Sequence, residues 1–283
     1  MNFWSQPIRT LQSLLAGKAP HLRQMRHWHS RVLGRDVDVD IYLPPEYYSA
    51  RSRSYPLLLL NDGQDLPAMR FFDTLEQLYR QEAVPHTVVV GVYAGRERHR
   101  EYGTARQADY KGRGDKAALY RDFVLTELMP LLHRRFRLSG LPEESVFGGF
   151  SLGGLSAFDI AWAHPEIFGT AGVFSGALWW RWSHVDTHNP DADRIIHDIV
   201  HKTPNRPNTQ RFWLQCGTLD ETDDRNNNGI IDSIDDTLDL IKALKKQGYA
   251  EEQAIRYVEI VGGEHNPHTW GRAMPDFLEW ALR

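Results

Sequence analysis

The chain has 283 residues, enough to bury a large core, and its net charge of −4 gives no reason to expect nucleic acid or acidic membranes as partners. A single cysteine, Cys216, excludes an internal disulfide, and no stretch approaches the roughly 20 apolar residues that a membrane span requires. Because residues 1–16 lack the clean apolar region of a signal peptide, we expect a cytoplasmic protein.

The N-terminal part of the chain predicts an arm followed by a pair of antiparallel strands. Residues 1–26 are expected to form the arm, with an amphipathic helix over residues 8–25. Apolar and polar residues alternate over 28–33 and 37–43, on either side of Gly34, which predicts a hairpin of half-buried strands.

Strands and helices alternate along the rest of the chain. Residues 55–60 and 87–92 are unbroken apolar runs, typical of parallel strands covered on both faces. The further predicted elements are helices 71–81, 117–135, 155–163, 233–247 and 273–282, and strands 144–147, 171–174, 211–216 and 254–261. This order predicts an α/β fold with a doubly wound, mostly parallel sheet and antiparallel N-terminal strands. We expect one domain over residues 1–283, with a variable, cap-like segment at 178–210.

The segment GGFSLGG at residues 148–154 carries the most chemical information. It contains the pattern G-x-S-x-G between a predicted strand and a predicted helix. On so sharp a turn, glycines let the backbone close, and Ser151 projects its hydroxyl above the sheet as a nucleophile. The backbone N–H groups that begin the helix then point to the place where an oxyanion would form.

Two later loops supply the partners that a serine nucleophile needs. Asp220 follows strand 211–216, and His265 follows strand 254–261. In a doubly wound sheet, groups at the carboxyl ends of the strands gather at one site. The order Ser151, Asp220, His265 is the one used by α/β hydrolases, in which the histidine takes the serine proton and the carboxylate orients the histidine.

The residues leave alternatives for the base and for the acid. His268 is a second candidate base, although two glycines place His265 directly after the strand. For the acid, Glu221 comes next after Asp220, with Asp223 or Asp224 as further choices.

An oxyanion hole needs two N–H donors. One is predicted to be the backbone N–H of Leu152, the residue after the nucleophile. The other is predicted to be the N–H of Gln64, in the loop 61–65 where Gly63 permits a tight turn. An ordinary turn is the alternative interpretation of that loop.

Several motifs together resemble the putative esterase family of α/β hydrolases, which includes esterase D, ferric enterobactin esterases, feruloyl esterases and mycolyltransferases. The likeness runs from about Val32 to the C-terminus. It rests on VDIYLPP at 39–45, LNDGQ at 60–64, ELMP at 127–130, GFSLGG at 149–154, FSGALWW at 174–180 and GGEH at 262–265.

The resemblance implies an α/β-hydrolase fold, with Ser151 as nucleophile and His265 as base. Feruloyl-esterase-like members place an aspartate at the position of Asp220, whereas mycolyltransferase-like members place a glutamate nearer Glu221, so the acid stays open. The segment at 174–180 looks most similar to the enterobactin-esterase branch.

A second motif, DRNNNGIIDSID at residues 224–235, fits a calcium-binding loop. Oxygen-bearing side chains fall at positions one, three, five, nine and twelve, glycine stands at six, and the carbonyl of position seven completes the set. The predicted ligands are Asp224, Asn226, Asn228, Ile230, Asp232 and Asp235. The alternative is a polar turn that caps a helix. We expect a structural ion and no cofactor for catalysis.

Three tryptophans, Trp179, Trp180 and Trp182, follow a predicted strand on the active-site side. They predict an aromatic wall for substrate, although packing in the core explains tryptophans equally well. The sequence therefore predicts a serine carboxylic-ester hydrolase that forms an acyl-enzyme on a small molecule, and the resemblance implies siderophore, feruloyl-type or other bulky esters as substrates. An acyltransferase or a non-catalytic binding protein on the same scaffold is the alternative.

Overall fold

A computed structural model describes residues 18–204 and 209–283, and its centre is an eight-stranded sheet. Numbered along the chain, the strands lie in the order β1-β2-β4-β3-β5-β6-β7-β8. Their bounds are β1 His21–Ser30, β2 Arg35–Leu43, β3 Leu57–Asn61, β4 Val88–Val92, β5 Ser145–Phe150, β6 Thr170–Phe174, β7 Arg211–Leu219 and β8 Ile255–Glu264. Pairs β1–β2 and β2–β4 are antiparallel and the remaining pairs are parallel, which confirms the predicted sheet.

Helices cover both faces of the sheet. In chain order they are α1 Phe71–Arg80, α2 Arg98–Glu101, α3 Ala117–Asp122, α4 Met129–Arg135, α5 Leu152–Ala163, α6 Ile195–Lys202, α7 Asp232–Lys246, α8 Glu251–Ala254 and α9 Pro267–Ala281. Buried side chains of α1 and α9 pack on one face, and those of α3 to α7 pack on the other. Every helix in 18–204 and 209–283 is too short or too polar to cross a membrane.

The predicted helix 117–135 contains a π-helical segment, Phe123–Leu128, between α3 and α4. Two residues after its end stands Pro130, which cannot donate a backbone hydrogen bond and whose ring crowds the carbonyl four residues earlier. A local widening of the helix accommodates both effects.

The predicted N-terminal helix is wrong over residues 21–25, which belong to β1, and residues 8–17 lie outside the described part of the chain. The pairing of β1 with β2 shifts between Met25 and Trp28, where His27 has a φ of 55°. This bulge interrupts the alternation of apolar and polar residues along the strand. The apolar residues on either side are therefore three positions apart, a spacing that is also typical of a helix.

Candidate active site

The turn after β5 holds Ser151 in an unusual backbone conformation. Ser151 has φ 55° and ψ −122°, and α5 begins at the next residue. Its N–H donates to the carbonyl of Phe174 at 2.9 Å, which fixes the turn to the neighbouring strand β6. A Cβ at Gly149 would lie 2.4 Å from the carbonyl oxygen of Gly153, so only glycine allows this approach. The strain that the turn stores at Ser151 is typical of functional sites.

The register of the last two strands brings Asp220 and His265 together. Leu219, the last residue of β7, pairs with Glu264, the last residue of β8, and Asp220 and His265 directly follow them. Neighbouring parallel strands lie about 4.8 Å apart, so these two side chains leave the same edge of the sheet side by side.

Opposing effects set the charges of this pair. Partial desolvation lowers the pKa of His265, Asp220 acts to raise it, and the positive charge of Arg98 lowers it further. Burial raises the pKa of Asp220. The N–H of Gly217, which donates to Oδ2 at 2.9 Å, acts to lower it. A lowered pKa keeps the imidazole of His265 neutral near pH 7, the form that accepts a proton.

Within residues 18–204 and 209–283, no hydrogen bond joins Ser151 to His265 or His265 to Asp220. The Oδ1 atom of Asp220 is buried and has no hydrogen-bond partner there. Such contacts are often long in a free enzyme and tighten when substrate binds. One acceptor therefore remains available beside the histidine.

Sequence reasoning missed Ser175 and Trp270, which support this pair. Ser175 is buried directly after β6, and its hydroxyl acts to lower the pKa of Asp220. Trp270 donates from Nε1 to Ser175 Oγ at 2.9 Å, and its ring lies edge-on to His265 with centroids 5.4 Å apart. Ser175 lies in the FSGALWW motif, but the motif does not indicate a contact with Asp220, because these contacts join loops that are far apart in sequence.

The alternative acids lie in other surroundings. Burial raises the pKa of Glu221 to about 7, and the backbone of Ser233, at the start of α7, acts to lower it. The side chain of Asp224 accepts N–H groups of its own loop. The alternative base His268 is the second residue of α9, where it is exposed and lines a surface cavity with Arg70.

Two backbone N–H groups lie beside the strand-to-helix turn at Ser151, which we call the elbow. The turn Gly63–Asp65 follows β3, and a Cβ at Gly63 would lie 2.4 Å from the backbone of Gly91. In the part of the chain that the structure describes, the N–H groups of Gln64 and Leu152 donate to no protein acceptor. Unpaired donors at these positions are what an oxyanion hole requires.

Comparison with known proteins shows the family of the chain. The model of the family described as "Putative esterase" matches residues 30–281. The chain belongs to this family. The esterase is accordingly a carboxylic ester hydrolase with an α/β-hydrolase fold.

Individual relatives are distant in sequence but similar in fold. The uncharacterized protein YbbA of Bacillus subtilis (strain 168) is 23% identical over 244 residues, which cover 85% of this chain and 90% of that protein. A ferulic acid esterase structure has a TM-score of 0.70 at 18% identity, covering 94% of this chain and 98% of that one. The enterobactin esterase of Shigella flexneri, crystallised with enterobactin, has a TM-score of 0.72 at 20% identity, covering 94% of this chain and 60% of that one.

The structure corrects the predicted aromatic wall at one position. Trp180 of the esterase is 0% exposed, and Cβ atoms at Gly103 and Gly114 would each lie 2.8 Å from its ring. Trp180 is therefore a core residue and does not line an open pocket. Trp179 is half-buried and Trp182 is 39% exposed, so these two remain available to a ligand.

We expect the Trp180→Ala substitution to destabilise the fold by about 3–5 kcal/mol, because it empties a large, fully enclosed volume. Trp182→Ala is the matched control from the same segment and should change the free energy of unfolding by less than about 0.5 kcal/mol, because its ring is exposed. Urea unfolding followed by tryptophan fluorescence measures both. Equal losses of stability would contradict the assignment of Trp180 to the core and of Trp182 to the surface.

Loop 224–235 of the esterase, which matches the calcium-binding pattern, forms hydrogen bonds among its own side chains and backbone. Asp224 accepts the N–H groups of Asn228 and Gly229 at 3.1 and 2.9 Å. The amide nitrogens of Asn226 and Asn228 both lie 2.8 Å from Oδ2 of Asp235. Positions three, five and twelve of the loop thus meet at Asp235, while position one holds the backbone of the same loop, and rotation of the two amides would present oxygen to an ion.

One predicted ligand points elsewhere. Asp232 accepts the N–H of Arg225 at 2.9 Å and pairs with its guanidinium at 3.2 Å. Over residues 18–204 and 209–283, no group of three or more His, Cys, Asp or Glu side chains is arranged to hold a metal ion. A site in this loop would therefore depend on its asparagines and on the carbonyl of Ile230.

Proposed function

We propose that the esterase hydrolyses carboxylic esters through Ser151, His265 and Asp220. The observation that carries this proposal is the pairing of Leu219 with Glu264, since it sets the candidate acid beside the candidate base. The positive φ of Ser151 supports it, because that conformation is typical of a nucleophile on a strand-to-helix turn.

In the proposed first step, Ser151 Oγ attacks the ester carbonyl carbon while His265 takes the hydroxyl proton. The negative charge that develops on the carbonyl oxygen is received by the N–H groups of Gln64 and Leu152. Asp220 stabilises the imidazolium, which then gives its proton to the departing alcohol and leaves an acyl group on Ser151.

In the second step, His265 takes a proton from a water molecule, and the resulting hydroxide attacks the acyl carbon. Collapse of the second tetrahedral intermediate breaks the bond to Ser151 Oγ and returns the proton to it. The acid product leaves. No cofactor is needed for either step.

For the substrate, we propose a small molecule with a bulky ester, such as a feruloyl-type or siderophore ester. Its support is the similarity in fold to a ferulic acid esterase and to an enterobactin esterase, together with the accessible rings of Trp179 and Trp182. Flat indoles stack on aryl groups and form no deep tunnel for an alkyl chain.

A series of p-nitrophenyl esters of increasing acyl length, compared with feruloyl esters, tests this choice. We expect aryl esters to have the highest kcat/KM. A preference for long acyl chains would instead indicate a lipid substrate, and faster turnover with an added alcohol than with water would indicate an acyltransferase. A fluorophosphonate probe that leaves the protein unlabelled would favour a non-catalytic binding protein.

We also propose that loop 224–235 binds a structural calcium ion through Asp224, Asn226, Asn228, Asp235 and the carbonyl of Ile230. Asp232 joins this set only if it exchanges its contact with Arg225 for the ion. Carboxylate, amide and carbonyl oxygens are the donors that calcium prefers. The ion would hold the loop that begins four residues after Asp220.

Calcium is expected to raise the melting temperature of the esterase and a chelator to lower it. An ion at about 100 times its Kd stabilises the folded state by roughly 2.7 kcal/mol. Asp224→Ala or Asp235→Ala should abolish the difference, whereas Asp223→Ala, an exposed neighbour outside the ligand set, should preserve it. Identical melting curves in calcium and in chelator would leave the loop as a polar turn.

A further inference from the structure

Arg98 makes a two-pronged ion pair beneath the candidate oxyanion hole. Its Nε and Nη2 atoms donate to Oδ1 and Oδ2 of Asp62, each at 2.8 Å. Asp62 is 0% exposed, and the side chain of Arg98 is 25% exposed. A buried carboxylate with this bidentate partner is held in one orientation.

The carboxylate of Asp62 lies between the two halves of the hole. Asp62 immediately precedes the turn that carries Gln64, has a φ of 58°, and accepts the side-chain amide of Gln64 at 3.1 Å. On its other side, a Cβ at Gly153 would lie 2.4 Å from Asp62 Oδ2. Gly153 directly follows Leu152, the second donor, so Asp62 contacts both donor segments.

The guanidinium of Arg98 spans the same two segments. Besides Asp62, its Nη2 atom approaches the carbonyl of Phe150, the residue before Ser151, at 3.3 Å. The Cζ atom of Arg98 lies over the Tyr102 ring, 5.2 Å from its centre. Arg98 thus ties the turn after β3 to the elbow after β5.

The short helix that carries Arg98 is itself anchored. Arg35 of β2 donates from Nε and Nη2 to the carboxylate of Glu101, at 2.7 and 2.6 Å. Glu101 is 1% exposed and stands three residues after Arg98. A second buried ion pair therefore fixes α2 to the sheet, and Arg98 extends from a rigid support.

We propose that Arg98 is a positioning residue that, through Asp62, sets the separation of the Gln64 and Leu152 N–H groups. This inference rests on the proposed function, in which those groups stabilise the oxyanion. Donors that are held in place before the reaction stabilise the transition state more than the bound substrate. Loss of Arg98 should therefore lower kcat and leave KM nearly unchanged.

The first test is Arg98→Met. We expect kcat to fall by about 10² and KM to change by less than about threefold, since one oxyanion donor is worth about 10²–10³ in kcat. The affinity for an aryl boronic acid, which mimics the tetrahedral intermediate, should fall in parallel with kcat. Arg100→Met is the matched control: Arg100 lies on the same helix and forms an exposed ion pair with Asp115, so kcat should stay within about twofold.

Two more variants separate positioning from folding. Arg98→Met leaves the buried carboxylate of Asp62 without a charged partner, which is costly. Asp62→Asn combined with Arg98→Gln therefore removes both charges together. This double variant should fold and still show the low kcat. Arg98→Lys keeps the positive charge but lacks the two N–H groups that bind both oxygens of Asp62, so it should recover only part of kcat. Wild-type kcat in the folded double variant would overturn the inference. So would an effect of Arg98→Met on KM as large as its effect on kcat.

Hydrogen–deuterium exchange provides a readout that does not depend on hydrolysis. In the Arg98→Met protein, peptides that contain residues 61–66 should exchange at least about tenfold faster, while peptides of β6 stay unchanged. If the wild type hydrolysed no ester, this comparison would still decide whether Arg98 holds the loop. Unchanged exchange over residues 61–66 would reject the positioning role even in an active esterase.

Discussion

Replacing Ser151 with alanine is expected to lower kcat on p-nitrophenyl esters by at least about 10³-fold. The proposed chemistry forms a bond to Ser151 Oγ, and no other group in the site can replace it. The fold should persist, because alanine keeps the Cβ at φ 55° and the backbone N–H still reaches the carbonyl of Phe174. Steady-state kinetics and thermal melting of both proteins measure the two effects.

Labelling distinguishes this nucleophile from other serines. A fluorophosphonate should modify the wild type on the peptide that contains Ser151 and leave the Ser151→Ala protein unmodified. Ser49→Ala, at an exposed serine far along the chain from the elbow, should be labelled and active like the wild type. A labelled serine elsewhere, with activity kept in Ser151→Ala, would refute the proposed triad.

Local patterns predicted the elements that position the site. The glycines around Ser151 predict a sharp turn, and the apolar runs predict buried strands. Both signals come from residues that are neighbours in sequence, so they can be recognised without the structure. Once β7 and β8 are recognised as parallel strands, the residues that follow them must meet at one edge of the sheet. The fold class and the neighbourhood of Asp220 and His265 therefore follow from the sequence.

Contacts between distant segments could not be predicted in this way. The burial of Trp180 depends on Gly103 and Gly114, which lie more than one helix earlier in the chain. The residues next to Trp180 in sequence therefore could not predict that it is buried. Arg98 and Asp62 are likewise joined only by the fold. Their residue types are equally typical of solvated loops, and only the geometry distinguishes a buried ion pair from a surface charge.

The choice between Asp220 and Glu221 as the acid depends on what each carboxylate faces. The charge of Asp220 acts on His265, and its Oδ1 atom is buried without a partner. Glu221 also has a buried oxygen without a partner, Oε1, but the groups that act on its pKa are the backbone of Ser233 and carboxylates on the side of loop 224–235. The surroundings therefore favour Asp220, in agreement with the feruloyl-esterase-like pattern.

Asp220→Asn is expected to lower kcat/KM by about 10³-fold or more, because an amide cannot stabilise the imidazolium and favours the wrong tautomer of His265. The carboxylate of Asp220 acts to raise the pKa of His265, so its loss should lower that pKa and move the acid limb of the residual activity to lower pH. Glu221→Gln is the isosteric control from the next position and should change kcat/KM by less than about threefold, with the acid limb unmoved. A damaging Glu221→Gln beside a nearly normal Asp220→Asn would transfer the role of the acid to Glu221, as in the mycolyltransferase-like pattern.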